Sequence, residues 1–192
     1  MDSIGVLILS EIVASPTLGE IHRQGFLTGW STHGGSPANT ISGQKILIHK
    51  LMAQLSSPEA QGAGGSGLFR RVYKHTFKVA VPAGTRGIPL DQASEYWRLL
   101  FGPTGAQWGP GSASGGLTKP WLEWYLTYLE TKWKKAVNKD MWDQTLAFEE
   151  KTREDEGLGW WEEGGAWPTV IDDFVEWCKV EKGLGKGDKM EE

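Results

Sequence analysis

The segment Trp160–Cys178, WWEEGGAWPTVIDDFVEWC, constrains the fold more than any other stretch of this chain. It opens as a turn: Glu162 and Glu163 precede Gly164 and Gly165, and a glycine pair admits backbone angles closed to other residues. Pro168 suits the start of a helix, where its missing N–H has no bond to lose. Beyond it, Ile171, Phe174, Val175 and Cys178 recur at i, i+3, i+4 and i+7, which places them on one buried face of an α-helix. Asp172, Asp173 and Glu176 fall off that face, toward water or a partner, and Gly183 supplies a stop.

The rest of the chain also reads as helices, with no credible strand. Ile4–Val13 is a first helix stopped near Pro16. Thr17 or Glu20 begins a second, with Ile21, Phe26 and Leu27 apolar up to Trp30. A third runs from about Gly43 to Leu55, with Ile46, Leu47, Lys50 and Leu51 around it. The intervening Ser31–Ser42 stretch is rich in Gly and Ser and carries no carboxylate, so a helix–loop–helix of EF-hand shape here has no calcium ligands. Gln61–Gly67 is a flexible connector. Phe69, Val72, Tyr73, Thr76 and Phe77 then mark an amphipathic helix whose polar side is Arg70, Arg71, Lys74 and Lys78, a solvated face in preference to a nucleic-acid site. Leu90 or Asp91 starts the next helix, through Phe101. Gly102–Gly116, dense in Gly, Pro and Ser, reads as an exposed, mobile insertion. Pro120 opens a helix extending to Ala136, and Asn138 caps another that frays into the charged KTREDEGLG run.

Ten of the eleven tryptophans lie at or beyond Trp97, which places the larger aromatic core in the second half. One cysteine excludes an internal disulfide and a cysteine-based zinc site, which fits the nucleus and cytoplasm; Cys178 belongs to the apolar stripe. The four histidines show no metal-ligand spacing, and no run of apolar residues is long enough for a membrane span. The net charge of −4 hides an asymmetry: residues 140–192 carry 16 acidic and 6 basic side chains, net −10, and residues 1–139 carry 8 and 14, net +6. A strongly acidic end disfavours nucleic acid and favours a basic protein partner, although Lys182–Glu192 reads as a disordered tail. Asp172 and Asp173 are no acid–base pair, because adjacent helical residues point about 100° apart.

GAWPTVIDDFVEW resembles the C-terminal signature of the PONY (potentiating neddylation) domain of the DCN-like, or defective-in-cullin-neddylation, proteins. DQASEYWRLLF at 91–101 and KPWLEWYLTYLETKWKKAVNKDMWDQTLAF at 119–148 follow the family's order. The resemblance is detailed from about Phe69 to Lys179 and looser through Asp2–Val6 and the segment ending at Trp30. It implies an all-α PONY domain over residues 1–181, with an N-terminal lobe of about 1–80 and a C-terminal lobe of about 88–181. It further implies a scaffold-type co-E3, without catalytic residue, cofactor or metal, that brings a conjugating enzyme charged with the Nedd modifier to a cullin lysine.

The family's cullin-binding patch, which takes the cullin C-terminal winged-helix region, carries over to Asp140 in NKDMW, Ala166 in GGAWP and Asp172 in VIDDF. Its pocket for the acetylated N-terminal Met of the conjugating enzyme would use Leu9, Ile21, Phe26, Ile41, Val79 and Leu99. The family usually has a further helix, and often a ubiquitin-binding UBA domain, before the Asp-x-Ile-Gly stretch. This sequence begins at that stretch, so part of the N-terminal lobe is expected to lack its usual cover, and Met1 is open to being an internal start. The alternative is a non-catalytic helical module that binds a cullin or another basic partner without promoting transfer.

Overall fold

The computed structural model describes residues 3–34, 39–55, 67–110, 117–162 and 164–185. The readings of Asp2, most of the 31–39 loop, the connector at 61–66, residues 111–116 and the tail beyond Gly185 lie outside the described residues. Those described form eight helices: α1 Ser3–Ile12, α2 Arg23–Gly34, α3 Ile41–Gln54, α4 Leu68–Ala80, α5 Leu90–Leu100, α6 Trp121–Tyr128, α7 Lys139–Glu154 and α8 Thr169–Glu181. Two caps fix the starts of their helices. Thr40 Oγ1 accepts from Gly43 N at 3.0 Å, so α3 begins two residues before the expected Gly43. Asn138 Oδ1 accepts from Met141 N at 2.8 Å, as its position predicts.

Helix α1 is the hub of the N-terminal half, packing on α2, α3, α4 and α5 through Ile4, Leu7, Ile8 and Ile12. Helix α2 departs most from expectation: it starts at Arg23 and runs past Trp30 to Gly34. Its course depends on Gly25 and Gly29, one turn apart. A Cβ on Gly29 would lie 2.1 Å from the Ile12 carbonyl oxygen, and one on Gly25 2.2 Å from that of Val13. No other residue allows α2 to lie against the end of α1, and this contact aims Phe26 and Trp30.

The C-terminal half is built on rings. Trp142 of α7 stacks on Tyr73 of α4 at 4.7 Å between centroids and on Trp97 of α5 at 5.2 Å. The polar atoms of these rings satisfy one another: Trp97 Nε1 donates to Tyr73 Oη at 2.9 Å, Tyr73 Oη donates to the Trp142 carbonyl at 2.8 Å, and Trp142 Nε1 donates to the Tyr73 carbonyl at 3.1 Å. Buried polar groups left unpaired cost more than these bonds gain, so the closure of the network is what makes so aromatic a core stable. The stripe Ile171, Phe174, Val175 and Cys178 is fully buried against it. Because α4 packs on α1 and on α7, the buried residues of both halves form one connected cluster.

Several expectations need correction. The chain is not wholly free of strand: Gly87–Ile88 (β1) pairs antiparallel with Val137–Asn138 (β2). Helix α6 does not reach Ala136; it widens into a π-helical turn, Leu129–Trp133, closed by Lys134 in the left-handed region at φ 56°. The stretch after Phe101 is no exposed insertion at its start. Trp108 is buried, its Nε1 donating to Thr152 Oγ1 at 2.8 Å, and Arg153 donates to the Ala106 and Gln107 carbonyls. Nor does α7 fray, since Glu149 and Thr152 are buried and Asp155 accepts from Gly157 N and Gly159 N at 2.8 Å each. The last helix does stop at Gly183, φ 68°, but Leu184 then packs back into the core, its N–H donating to the Cys178 carbonyl at 3.2 Å. The basic side of α4 is a solvated, partly neutralised face: Arg70 pairs with Glu150 and Arg71 with Glu11.

Candidate partner-binding surfaces

A cavity of about 120 Å³ opens where α1, α2 and α3 meet. Leu9 comes from α1, Ile21 precedes α2, Phe26 and Trp30 lie on α2, and Ile41 and Ile48 on α3, with Gln44 and Lys45 at the polar side. Leu9, Ile21, Phe26 and Ile41 of the six pocket residues named from sequence are thus gathered in one place. Val79 and Leu99 do not line the cavity: Val79 is buried on α4 and Leu99 half-buried on α5. Trp30, Gln44, Lys45 and Ile48 were missed, though their signal was present. Ile41, Gln44, Lys45 and Ile48 stand at i, i+3, i+4 and i+7, one face of α3, whereas the reading above followed Ile46 and Leu47. Ile41 is 74% exposed and Ile21 47%, so the rim offers apolar surface to solvent.

The second surface is acidic. Asp140 is exposed in the first turn of α7, and Asp172 lies in the first turn of α8, half-buried. The two helices pack together, Phe148 meeting Phe174 at 5.8 Å. Ala166 is exposed in the turn before α8. That turn is held by Gly164 at φ 76° and by Trp167, whose ring meets Phe148 edge-on at 5.9 Å. None of the three residues is sealed inside. Burial raises the Asp172 carboxyl above its ordinary value, the charge of Asp173 adds to this, and the Trp161 indole opposes it. Neither Asp172 Oδ1 nor Trp161 Nε1 meets hydrogen-bond geometry with any partner, so each retains capacity for one.

Glu156, which the sequence did not single out, anchors the approach to this face. Its carboxylate accepts from Thr118 N at 2.9 Å, Lys119 N at 2.8 Å and Trp121 Nε1 at 3.0 Å. Burial works against its ionisation, but these bonds outweigh it and hold the carboxyl below the usual range. Among the described residues no cluster of His, Cys, Asp and Glu is arranged to hold a metal, and no helix is long and apolar enough to cross a membrane.

A family model described as Cullin binding matches residues 44–177, from α3 through most of α8. The chain belongs to this family. It is similar to Defective in cullin neddylation protein 1 of Pyricularia oryzae, 38% identical over 194 residues that cover 99% of this chain and 66% of the relative. It is also similar to the protein of the same name from Yarrowia lipolytica, 29% identical with 91% and 62% covered, and to DCN1-like protein 5 of Homo sapiens, 32% identical with 93% and 64% covered. The chain thus spans about two thirds of the length of the curated relatives it matches, or a little less.

Proposed function

We propose that this chain acts in cullin neddylation as a scaffold. It binds a basic surface of the cullin C-terminal winged-helix region through Asp140, Ala166 and Asp172, and the Nedd-charged conjugating enzyme through the N-terminal cavity. The observation that carries the reading is the placement of two accessible carboxylates in the first turns of two packed helices, in the half of the chain with net charge −10. Opposite charge brings the partner in, and the small side chain at Ala166 allows close approach.

The cavity suits one apolar side chain with a neutral cap. A free ammonium would enter an apolar space beside Lys45, where both desolvation and like charge oppose it; acetylation of the partner's N-terminus removes both penalties. Rate gain then comes from proximity and orientation, with no chemistry supplied by the scaffold. Cys178 is ill suited to carry a thioester: it is fully buried, and burial pushes its thiol well above the ordinary range. The proposed site of action is the nucleus and cytoplasm.

The test is binding of a cullin C-terminal domain, followed by a reconstituted transfer assay with acetylated and unacetylated conjugating enzyme. Asp140→Lys with Asp172→Lys is expected to weaken cullin binding by at least ~2 kcal/mol. Undiminished binding by that variant defeats the acidic-face assignment. Cullin binding without any stimulation of transfer leaves the chain a helical interaction module.

A further inference from the structure

The turn between α6 and α7 builds a third concavity, which shares no residue with either surface above. It is an open groove of about 400 Å³. Tyr128, Lys132, Trp133 and Lys135 come from the end of α6 and the π-helical turn, and Asp173 and Trp177, one turn apart on α8, form the other wall. Tyr128 packs on Trp177 at 6.0 Å between centroids, and Lys135 Nζ lies 4.4 Å above the Trp133 ring.

Its polar groups are unspent. Trp133 Nε1 is shielded from solvent and has no hydrogen-bond partner. Among the described residues, Lys132, Lys135 and Asp173 take part in no ion pair. The Tyr128 phenol keeps its proton at neutral pH, because burial and then the charge of Asp173 push it up to about 12. The groove is therefore lined by N–H and O–H donors, two of them cationic, around a single carboxylate. The backbone that presents them is irregular, a π-helical turn followed by a non-glycine residue in the left-handed region, a combination that recurs at functional sites.

We propose that this groove binds an acidic peptide segment of a protein partner, with Lys132 and Lys135 meeting its carboxylates and the rings of Tyr128, Trp133 and Trp177 taking an apolar side chain beside them. Three features select a peptide. The groove is open, so a continuous chain can enter and leave. Its cations are lysines, which meet separate carboxylates as point charges, where the forked geometry of arginine would favour a phosphate. Asp173 is an unpaired acceptor among donors, which suits a ligand that carries backbone N–H groups as well as negative charge and penalises a bare anion. The lysines stand out against a C-terminal half that is otherwise acidic, so an acidic segment finds its complement there and is repelled elsewhere.

The test uses the full chain at low ionic strength. A fluorescein-labelled peptide, Gly-Glu-Phe-Asp-Glu-Gly, is titrated by polarisation, and the tryptophan indole N–H resonances are followed by heteronuclear NMR. The acidic peptide is expected to saturate and to shift the Trp133 and Trp177 indole signals. Its amide counterpart, Gly-Gln-Phe-Asn-Gln-Gly, and the variant Lys132→Glu with Lys135→Glu are each expected to weaken binding about tenfold or more. Should that variant fail to melt like the parent, Lys132→Gln with Lys135→Gln carries the same comparison. Asp140→Lys is expected to bind the peptide unchanged, which separates this groove from cullin binding. The proposal is overturned by absence of indole shifts at millimolar peptide, by equal binding of the amide peptide or of the lysine variants, or by displacement with equimolar sodium phosphate.

Discussion

Around Trp142 the molecule is held by stacked rings whose polar atoms pair with one another; around Ile12 it is held by backbone laid against backbone. The indoles of Trp97, Trp108, Trp121 and Trp142 all donate hydrogen bonds within the protein, whereas that of Trp30, at the N-terminal cavity, has no partner. Of six large apolar side chains left exposed, Leu18, Ile21, Leu27, Ile41 and Ile46 belong to the first half and only Val180 to the second. One half has used its apolar and polar capacity on itself. The other holds part of its capacity outward, which is what a surface awaiting an apolar partner requires.

The strongest way to break this comparison is Trp142→Ala. It removes a ring stacked on both Tyr73 and Trp97 together with the bond to the Tyr73 carbonyl. We expect a loss of ~3–5 kcal/mol in denaturant unfolding, with both halves melting together because α4 is common to them. Survival of a native C-terminal half would show that the ring network is not what holds it.

Glu149 offers a sharper probe of the same half. It is fully buried, and burial pushes its carboxyl from 4.5 up to about 7 despite Arg153. The folded chain therefore keeps a proton that the unfolded chain releases near the ordinary value. The contribution of this group is complete below about 4.5 and is lost as pH rises toward 7. Glu149→Gln is expected to flatten the stability profile across that window by about 3 kcal/mol at most, with no change of slope above it. Parallel profiles for the two proteins would contradict the buried-carboxyl reading.

The smallest effect is local. Gly29→Ala drives a methyl group into the Ile12 carbonyl and is expected to cost ~1–3 kcal/mol. Amide exchange in α1 and α2 should quicken while the amides of α7 and α8 keep their protection. Uniform quickening over both halves would mean that the α1–α2 contact supports the whole fold.

Legibility in the sequence followed the range of the forces involved. The stripe of α8, the amphipathic α4 and the cap at Asn138 depend on neighbours within a turn or two, and spacing reveals them. Asp140, Ala166 and Asp172 were found through a resemblance, and the structure adds that all three are accessible. Gly25 and Gly29 were invisible, since a glycine in a helix looks like a defect until the carbonyl it must admit is known. Trp108 was masked by the Gly, Pro and Ser around it, although a large ring in such a stretch is itself a sign of an anchor. Val79 and Leu99 were placed at the cavity because an aliphatic residue on a helix carries no mark of which neighbour it faces.

The anchoring of Trp108 bears on how the protein can be remade. The Trp108 carbonyl accepts from Leu122 N at 3.1 Å, and Glu156 grips Thr118 and Lys119, so the span between positions 110 and 117 leaves and rejoins the body at neighbouring, independently fastened points. Each doubling of such a span adds only about 0.6 kcal/mol of closure entropy. Foreign sequence spliced there, a reporter or an affinity handle, is thereby insulated from the scaffold on either side.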